Sequence, residues 1–169
     1  AGKAVPGACA RAGRLVHARQ GQGMRIGMKR ASEPVRGVVR ETGSMIAGMA
    51  PRRVAGAVVF HAVAGWAEAV PLLADARAMV REDEGVTLIL DADHPAARAS
   101  PRFTQITLDV PSALDGVGLT AAVAQALAAE GIPCNVIAGL HHDHLLVPEA
   151  QAERAVALLR ARADAEAGA

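Results

Sequence analysis

Hydrophobic and polar positions divide the chain into one patternless stretch and two patterned ones. Residues 1–40 are rich in Gly, Ala and Arg with no sustained period, and read as a mostly disordered tail. Ordered structure is expected to begin near Thr42–Met49, a short helical piece stopped by Pro51. Ala57–Val63 (AVVFHAV) is a β-branched run, predicted to be a strand. Trp66–Ala76 has helical spacing at Trp66, Val70 and Leu73 despite Pro71. Ala78–Arg81 and Val86–Leu90 flank Glu82-Asp83-Glu84-Gly85, which predicts a hairpin. Asp91–Pro101 reads as a polar, Pro-containing linker between two units.

The second patterned stretch is clearer. Phe103–Val110 alternates, with Ile106, Leu108 and Val110 on one face and Gln105, Thr107 and Asp109 on the other. Pro111–Gly116 is a turn. Val117–Glu130 is predicted to be a helix with Leu119, Val123 and Leu127 in a stripe, capped by Gly131. Pro133–Leu140 and Asp143–Val147 form a second hairpin. Pro148 opens a last helix, in which Ala152, Ala155, Val156 and Leu159 follow i, i+3, i+4, i+7. Each stretch reads β-α-β-β. The predicted fold is α+β: two ferredoxin-like units with antiparallel sheets and helices on one face, at residues 41–98 and 99–165. Neither half shows a fourth strand, so the halves are expected to lend each other edge strands or to pair across a dimer.

Charge sharpens this division. Residues 1–40 hold nine Lys/Arg and one acid, whereas residues 41–169 hold nine Arg and sixteen acids. The net charge of +1 therefore hides a tail of +8 and a globule of −7. Arg outnumbers Lys 16 to 2, which suggests GC-rich coding. The chain begins with Ala, with Met24, Met28 and Met45 downstream, so its first 23 or more residues read as a cloning remnant, a fragment or an over-extended frame. Two cysteines, Cys9 and Cys134, make no disulfide framework, and a reducing cytoplasm is the expected location. No apolar run has the length of a membrane helix, and no secretory signal or Ser-rich transit peptide is read. Only 2% of residues are aromatic, which argues against a base- or sugar-stacking surface.

Several groups are candidates for chemistry. The turn Pro111–Leu119 joins a strand to a helix N-terminus, where free N–H groups and the dipole favour an anion. Gly116 and Gly118 would let a ligand approach the backbone, or they simply permit a tight turn. Asn135 offers an amide able to accept from an ammonium and donate to a carboxylate, or to bond local backbone. His141-His142-Asp143-His144 contains metal-ligand types, but consecutive hairpin residues alternate faces. A polar turn, with Asp143 bonding local backbone, is expected instead. Cys134 and His61 read as core residues, His61 as a satisfied core or interface histidine, and Trp66 as a packing anchor. Glu82-Asp83-Glu84 reads as a solvated acidic loop. No GxSxG elbow surrounds Ser112, and no P-loop, GxGxxG or HExxH occurs.

Residues 103–148 carry a more specific pattern, which from Ile106 reads ITLDVPSALDGVGLTAAVAQALAAEGIPCNVIAGLHHDHLLVP. With REDEGVTLIL (81–90) and PRRVAGAVVF (51–60), it resembles the small bacterial proteins built from two tandem ACT modules of the aspartate-kinase regulatory type. The resemblance covers about residues 42–163. The chain departs from it at Pro111–Gly118, where the family commonly has Ser-Ser-Leu-Glu-Ala-Val-Gly. It also has His141 in place of an aromatic and Leu146 in place of a Phe. These departures bear on ligand identity.

The resemblance implies a non-enzymatic, cytoplasmic regulatory protein that binds an amino acid or similar effector at a module interface. No catalytic residue, metal or cofactor is expected. Carboxylate contact would come from backbone at Ser112, Ala113, Leu114, Val117, Gly118 and Leu119. Recognition of the amino group or side chain would come from Asn135, Val136 and Ile137. A homodimer is expected, with no membrane association. A different reading makes the basic tail a binder of nucleic acid or another polyanion while the acidic globule dimerises. The absence of interleaved aromatics speaks against nucleic acid.

Overall fold

The computed structural model describes residues 37–97 and 101–169. The remainder of the basic tail and Cys9 lie outside the described residues. The described chain forms α1 (Thr42–Ala47), β1 (Pro51–Val63), α2 (Trp66–Ala69), β2 (Ala78–Glu82), β3 (Gly85–Asp91), β4 (Phe103–Leu108), α3 (Leu119–Ala129), β5 (Asn135–Ala138), β6 (Asp143–Pro148) and α4 (Ala152–Ala167). The strands make one antiparallel sheet in the order β2-β3-β1-β4-β6-β5. Each half runs strand, helix, strand, strand. Their first strands, β1 and β4, pair and join the halves into one sheet. Edge-strand lending between halves is therefore met within a single chain.

β1 begins six residues before the predicted start, at Pro51 rather than Ala57. Its first turn of sequence is polar because Arg52 pairs with Asp109 and Arg53 with Glu153. The alternation is then broken by a register shift between Arg53 and Ala57. Gly56 supplies the positive φ of +80° that such a bulge uses. Arg77 secures the bulge. Its guanidinium donates to the Ala55 carbonyl at 3.3 Å and to Asp91 at 2.8 Å.

Directly paired residues share a face of the sheet. Ala57 pairs with Thr104, and Val59 with Leu90, so all the helices lie on one face. Over β4–β6 they build the larger core, in which Leu127, Val123 and Leu159 meet Ile106, Leu108 and Leu145. Over β1–β3, Ala69 with Leu72, Leu73, Ala76 and Ala96 covers Val86, Leu88 and Leu90. The opposite face carries Val58, Ile89 and Leu146, with Phe60 and Phe103 edge-to-face at 5.3 Å.

The helix predicted over Trp66–Ala76 is shorter than expected. It ends at Ala69 and tightens to a 3₁₀ turn over Val70–Leu72, where Pro71 sits in the first positions. The face that packs on the sheet is Ala69, Leu72, Leu73 and Ala76, spaced i, i+3, i+4, i+7. Trp66 and Val70 lie off that face and are 52% and 48% exposed. Trp66 is not the packing anchor its size suggests. His61 is buried as expected, but its Nδ1 has no partner among the described residues, so it is not the satisfied histidine predicted. α3 matches its stripe. Beyond it, the Ile132 N–H returns to the Leu127 carbonyl at 3.0 Å and closes the helix end.

Candidate functional site

The site builds from the turn between β4 and α3. Residues 37–40, assigned to the tail by sequence, belong to this region. Val39 bridges Ser112 in parallel: its N–H donates to the Pro111 carbonyl and its carbonyl accepts from the Ala113 N–H, both at 2.9 Å. Glu41 caps α1 by accepting from the Gly43 and Ser44 N–H groups at 2.8 and 2.5 Å. Those bonds hold its carboxyl below the ordinary range, the Ser44 bond most. Thr42 then donates its hydroxyl to the Val117 carbonyl at 2.8 Å. The segment 38–42 is thus stitched along the turn.

A cleft of about 300 Å³ opens beside this seam, lined by Val38, Arg40, Ser112, Ala113, Leu114, Asp115 and Leu140. Arg40 and Asp115 form an ion pair at its rim, with side chains 65% and 72% exposed. Val38, Leu114 and Leu140 give it exposed apolar walls. Ser112 donates its hydroxyl to Asp143 at 3.3 Å, which anchors the turn to β6. Asp143 therefore bonds a side chain on the neighbouring loop rather than local backbone.

The structure brings Ser112, Ala113 and Leu114 to the cleft, while Val117, Gly118 and Leu119 lie outside its lining. Val117 is exposed and Leu119 is core. No side chain caps α3 at Gly118. Both glycines face protein atoms. A Cβ at Gly116 would meet Met45 Sδ at 2.9 Å, and one at Gly118 would meet Thr42 Cγ2 at 2.5 Å. Of the loop N–H groups, Ser112 bonds Val110, Ala113 bonds Val39 and Gly116 bonds Ala113. Asn135, Val136 and Ile137 sit on the outer strand β5 and also lie outside the cleft. Arg40, Val38, Asp115 and Leu140 were not read as site residues from sequence. Only the β-branched pair Val38-Val39 ahead of the α1 cap hinted at an ordered strap.

The histidine hairpin divides as the pleat requires. His144 lies on the helix-free face, where its Nδ1 is 3.1 Å from both Gln105 Nε2 and Thr107 Oγ1. The Gln105 amide donates only to an unprotonated nitrogen. Burial lowers the His144 pKa, with a smaller effect from neighbouring His142. Among the described residues, no three His, Cys, Asp or Glu side chains converge as metal ligands would. Cys134 is half-buried against the larger core, and desolvation raises its pKa. A raised pKa disfavours the reactive thiolate.

Comparison with known proteins places this geometry. Residues 99–161, which contain the turn, α3 and the β5–β6 hairpin, match the ACT domain. ACT domains are regulatory rather than catalytic, and they bind amino acids. A Vibrio cholerae protein of unknown function, described as a possible transport protein, has a solved structure that is 41% identical. It superposes with a TM-score of 0.61 over 68% of this chain and 89% of that one. This chain contains an ACT domain at residues 99–161 and belongs to one family with that Vibrio cholerae protein. An Agrobacterium tumefaciens protein is 23% identical, with a TM-score of 0.54 over 67% of this chain and 87% of its own. The aspartokinase α and β subunits share the fold at 13% identity and a TM-score of 0.50, over 66% of this chain and 95% of theirs. No curated protein matches the chain. Among the described residues, no helix is long and apolar enough to cross a membrane.

Proposed function

We propose that this chain is a non-enzymatic, cytoplasmic regulatory protein that binds an amino acid or similar small effector. The observation that carries the reading is the cleft at the β4–α3 turn, within the region that matches the ACT domain. Small-molecule sites run from about 300 to 1,000 Å³, and this cleft has the volume of a single small metabolite. The first half is a second ACT-like module in this reading. Its support is the repeated order β-α-β-β, closed by the β1–β4 pairing.

The protein acts as a homodimer. The outer strand β5 and the exposed apolar residues Leu114, Val117 and Leu140 favour a partner on this side. Asn135, Val136 and Ile137 would then complete the effector site across the interface. Binding would signal by favouring one packing of modules or protomers. A thermal-shift screen of the full chain against the twenty proteinogenic amino acids tests the reading. At least one is expected to raise the Tm in a saturable way, and no shift from any of them would sink it. Sedimentation should show a dimer, and a monomer at every concentration would remove the interface part.

A further inference from the structure

We infer that His144, Gln105 and Arg77 form a proton-sensitive relay across the helix-free face, which ties the β5–β6 hairpin to the β1 bulge near neutral pH and releases it in mild acid. The relay does not depend on what the cleft binds.

It spans four neighbouring strands. His144 stands on β6 and Gln105 on β4, while Arg77 reaches the β1 bulge at the Ala55 carbonyl and β3 at Asp91. His144 is paired with Thr107, and Gln105 with Leu146, so His144, Thr107 and Gln105 share the helix-free face. Gln105 Nε2 donates to His144 Nδ1 at 3.1 Å, and Gln105 Oε1 accepts from Arg77 Nη1 at 3.5 Å. The Arg77 contact fixes which end of the amide faces the ring. On its other side the ring lies against the β5–β6 loop, where a Cβ at Gly139 would stand 3.6 Å from His144 Nε2.

The charged groups around His144 are already engaged. Asp109 holds Arg52 beside Thr107. Asp143 turns to the helix face and accepts from Ser112. His142 precedes the ring on the same hairpin, and β5 presents the apolar Ile137. A proton on the ring is therefore met by Gln105 and Thr107.

A neutral ring offers a lone pair at Nδ1, which suits the Gln105 amide donor. An imidazolium donates from both nitrogens, so Nδ1–H then confronts the amide N–H. Thr107 Oγ1, also 3.1 Å from Nδ1, can accept the new proton. Gln105 can accept it only by turning its oxygen to the ring, which aims its NH₂ at the Arg77 guanidinium, donor against donor. Arg77 then keeps Asp91 and Ala55 alone, and the hairpin is uncoupled from the bulge. Burial keeps the ring neutral to below its ordinary 6.5, which sets the release in mild acid.

A ¹⁵N-resolved NMR titration of the full chain from pH 7.5 to pH 5 tests the relay. The His144 imidazole, the Gln105 side-chain amide, the Arg77 Nε–H and the Gly56 N–H, which follows the Ala55 carbonyl, are expected to shift with one shared midpoint below 6.5. In Gln105→Glu the side chain only accepts, so the His144 midpoint should rise by about one unit or more and Arg77 and Gly56 should no longer follow it. In His144→Gln the Arg77 and Gly56 signals should stay still over the same range. A His144 titration that Gln105 and Arg77 do not follow would overturn the inference, as would Gly56 shifts that persist in His144→Gln. The first outcome needs no substitution, so it decides the matter even if a variant fails to fold.

Discussion

The two halves of the sheet share a strand order and differ in what covers them. Over β4–β6, an 11-residue and a 16-residue helix pack with α1 onto a continuous core. Over β1–β3, a four-residue helix and a 3₁₀ turn cover a small cluster. The cleft lies in the well-covered half, which is also the half matching the ACT domain. A precise turn needs a rigid base, because a ligand contact is lost when its supporting elements drift. The strand order can be kept with little cover, but the site stands where α1, α3 and β6 fix the turn from three sides.

That contrast is open to measurement, and truncating the cores should give the largest effects. Leu127 and Leu88 are both fully buried, one in each cluster. Leu→Ala costs about 2–5 kcal/mol, depending on how far a site can collapse. Leu127→Ala is expected near the top of that range and Leu88→Ala near the bottom, read from urea denaturation. Equal losses would break the comparison.

Gly118→Ala comes next, at about 1–3 kcal/mol, because the new methyl meets Thr42 at a residue with a positive φ. Thr42→Ser in the same chain removes the offending methyl and keeps the hydroxyl bond to Val117. It should restore the steric share of the loss and leave the backbone share. A neutral Gly118→Ala would show that α1 does not press on the turn.

The helix-free face should respond to pH more modestly. His144 is held below its ordinary value of 6.5 by burial. As pH falls through that value, the unfolded chain takes up the proton and the folded chain resists. Stability present above it is therefore lost on the acid side. The Tm of the protein should fall between pH 7 and pH 5 by more than that of His144→Gln.

The smallest effect is expected at Asp109. Its bond to Arg52 holds its carboxyl below the usual 3.8, so its contribution is present above that pH and fades below it. Asp109→Asn should cost up to about 1 kcal/mol at neutral pH, and the difference between the two proteins should shrink as pH falls below 3.8.

Particular residues show how much of this was legible in the sequence. Ile106, Leu108 and Val110 alternate because one face of β4 meets the helices, so that strand, α3 and the β5–β6 hairpin could be placed from pattern alone. β1 was cut short because Arg52 and Arg53 look like loop residues until their carboxylate partners are known, and the bulge at Gly56 interrupts the period. The Trp66 stripe misled because Ala69, Leu72, Leu73 and Ala76 offer a second apolar face at the same helical spacing, and that face is the one packed on the sheet. Three residues that line the cleft, Ser112, Ala113 and Leu114, were read in advance because they lie on the turn itself. Arg40 was not, since tertiary pairing of Val39 with Ser112 brings the strap to the turn, and Leu140 was not, since it reaches the cleft from the loop between β5 and β6. Local periodicity carries no record of that contact.

The most direct test of the central claim is a ¹⁵N-resolved NMR titration of the full chain with an amino acid selected by the thermal-shift screen. Saturable shifts are expected at Val38–Arg40, Ser112–Asp115 and Leu140, with β2 and β3 unmoved. Shifts confined to residues 78–91, or spread evenly over both halves, would contradict the account.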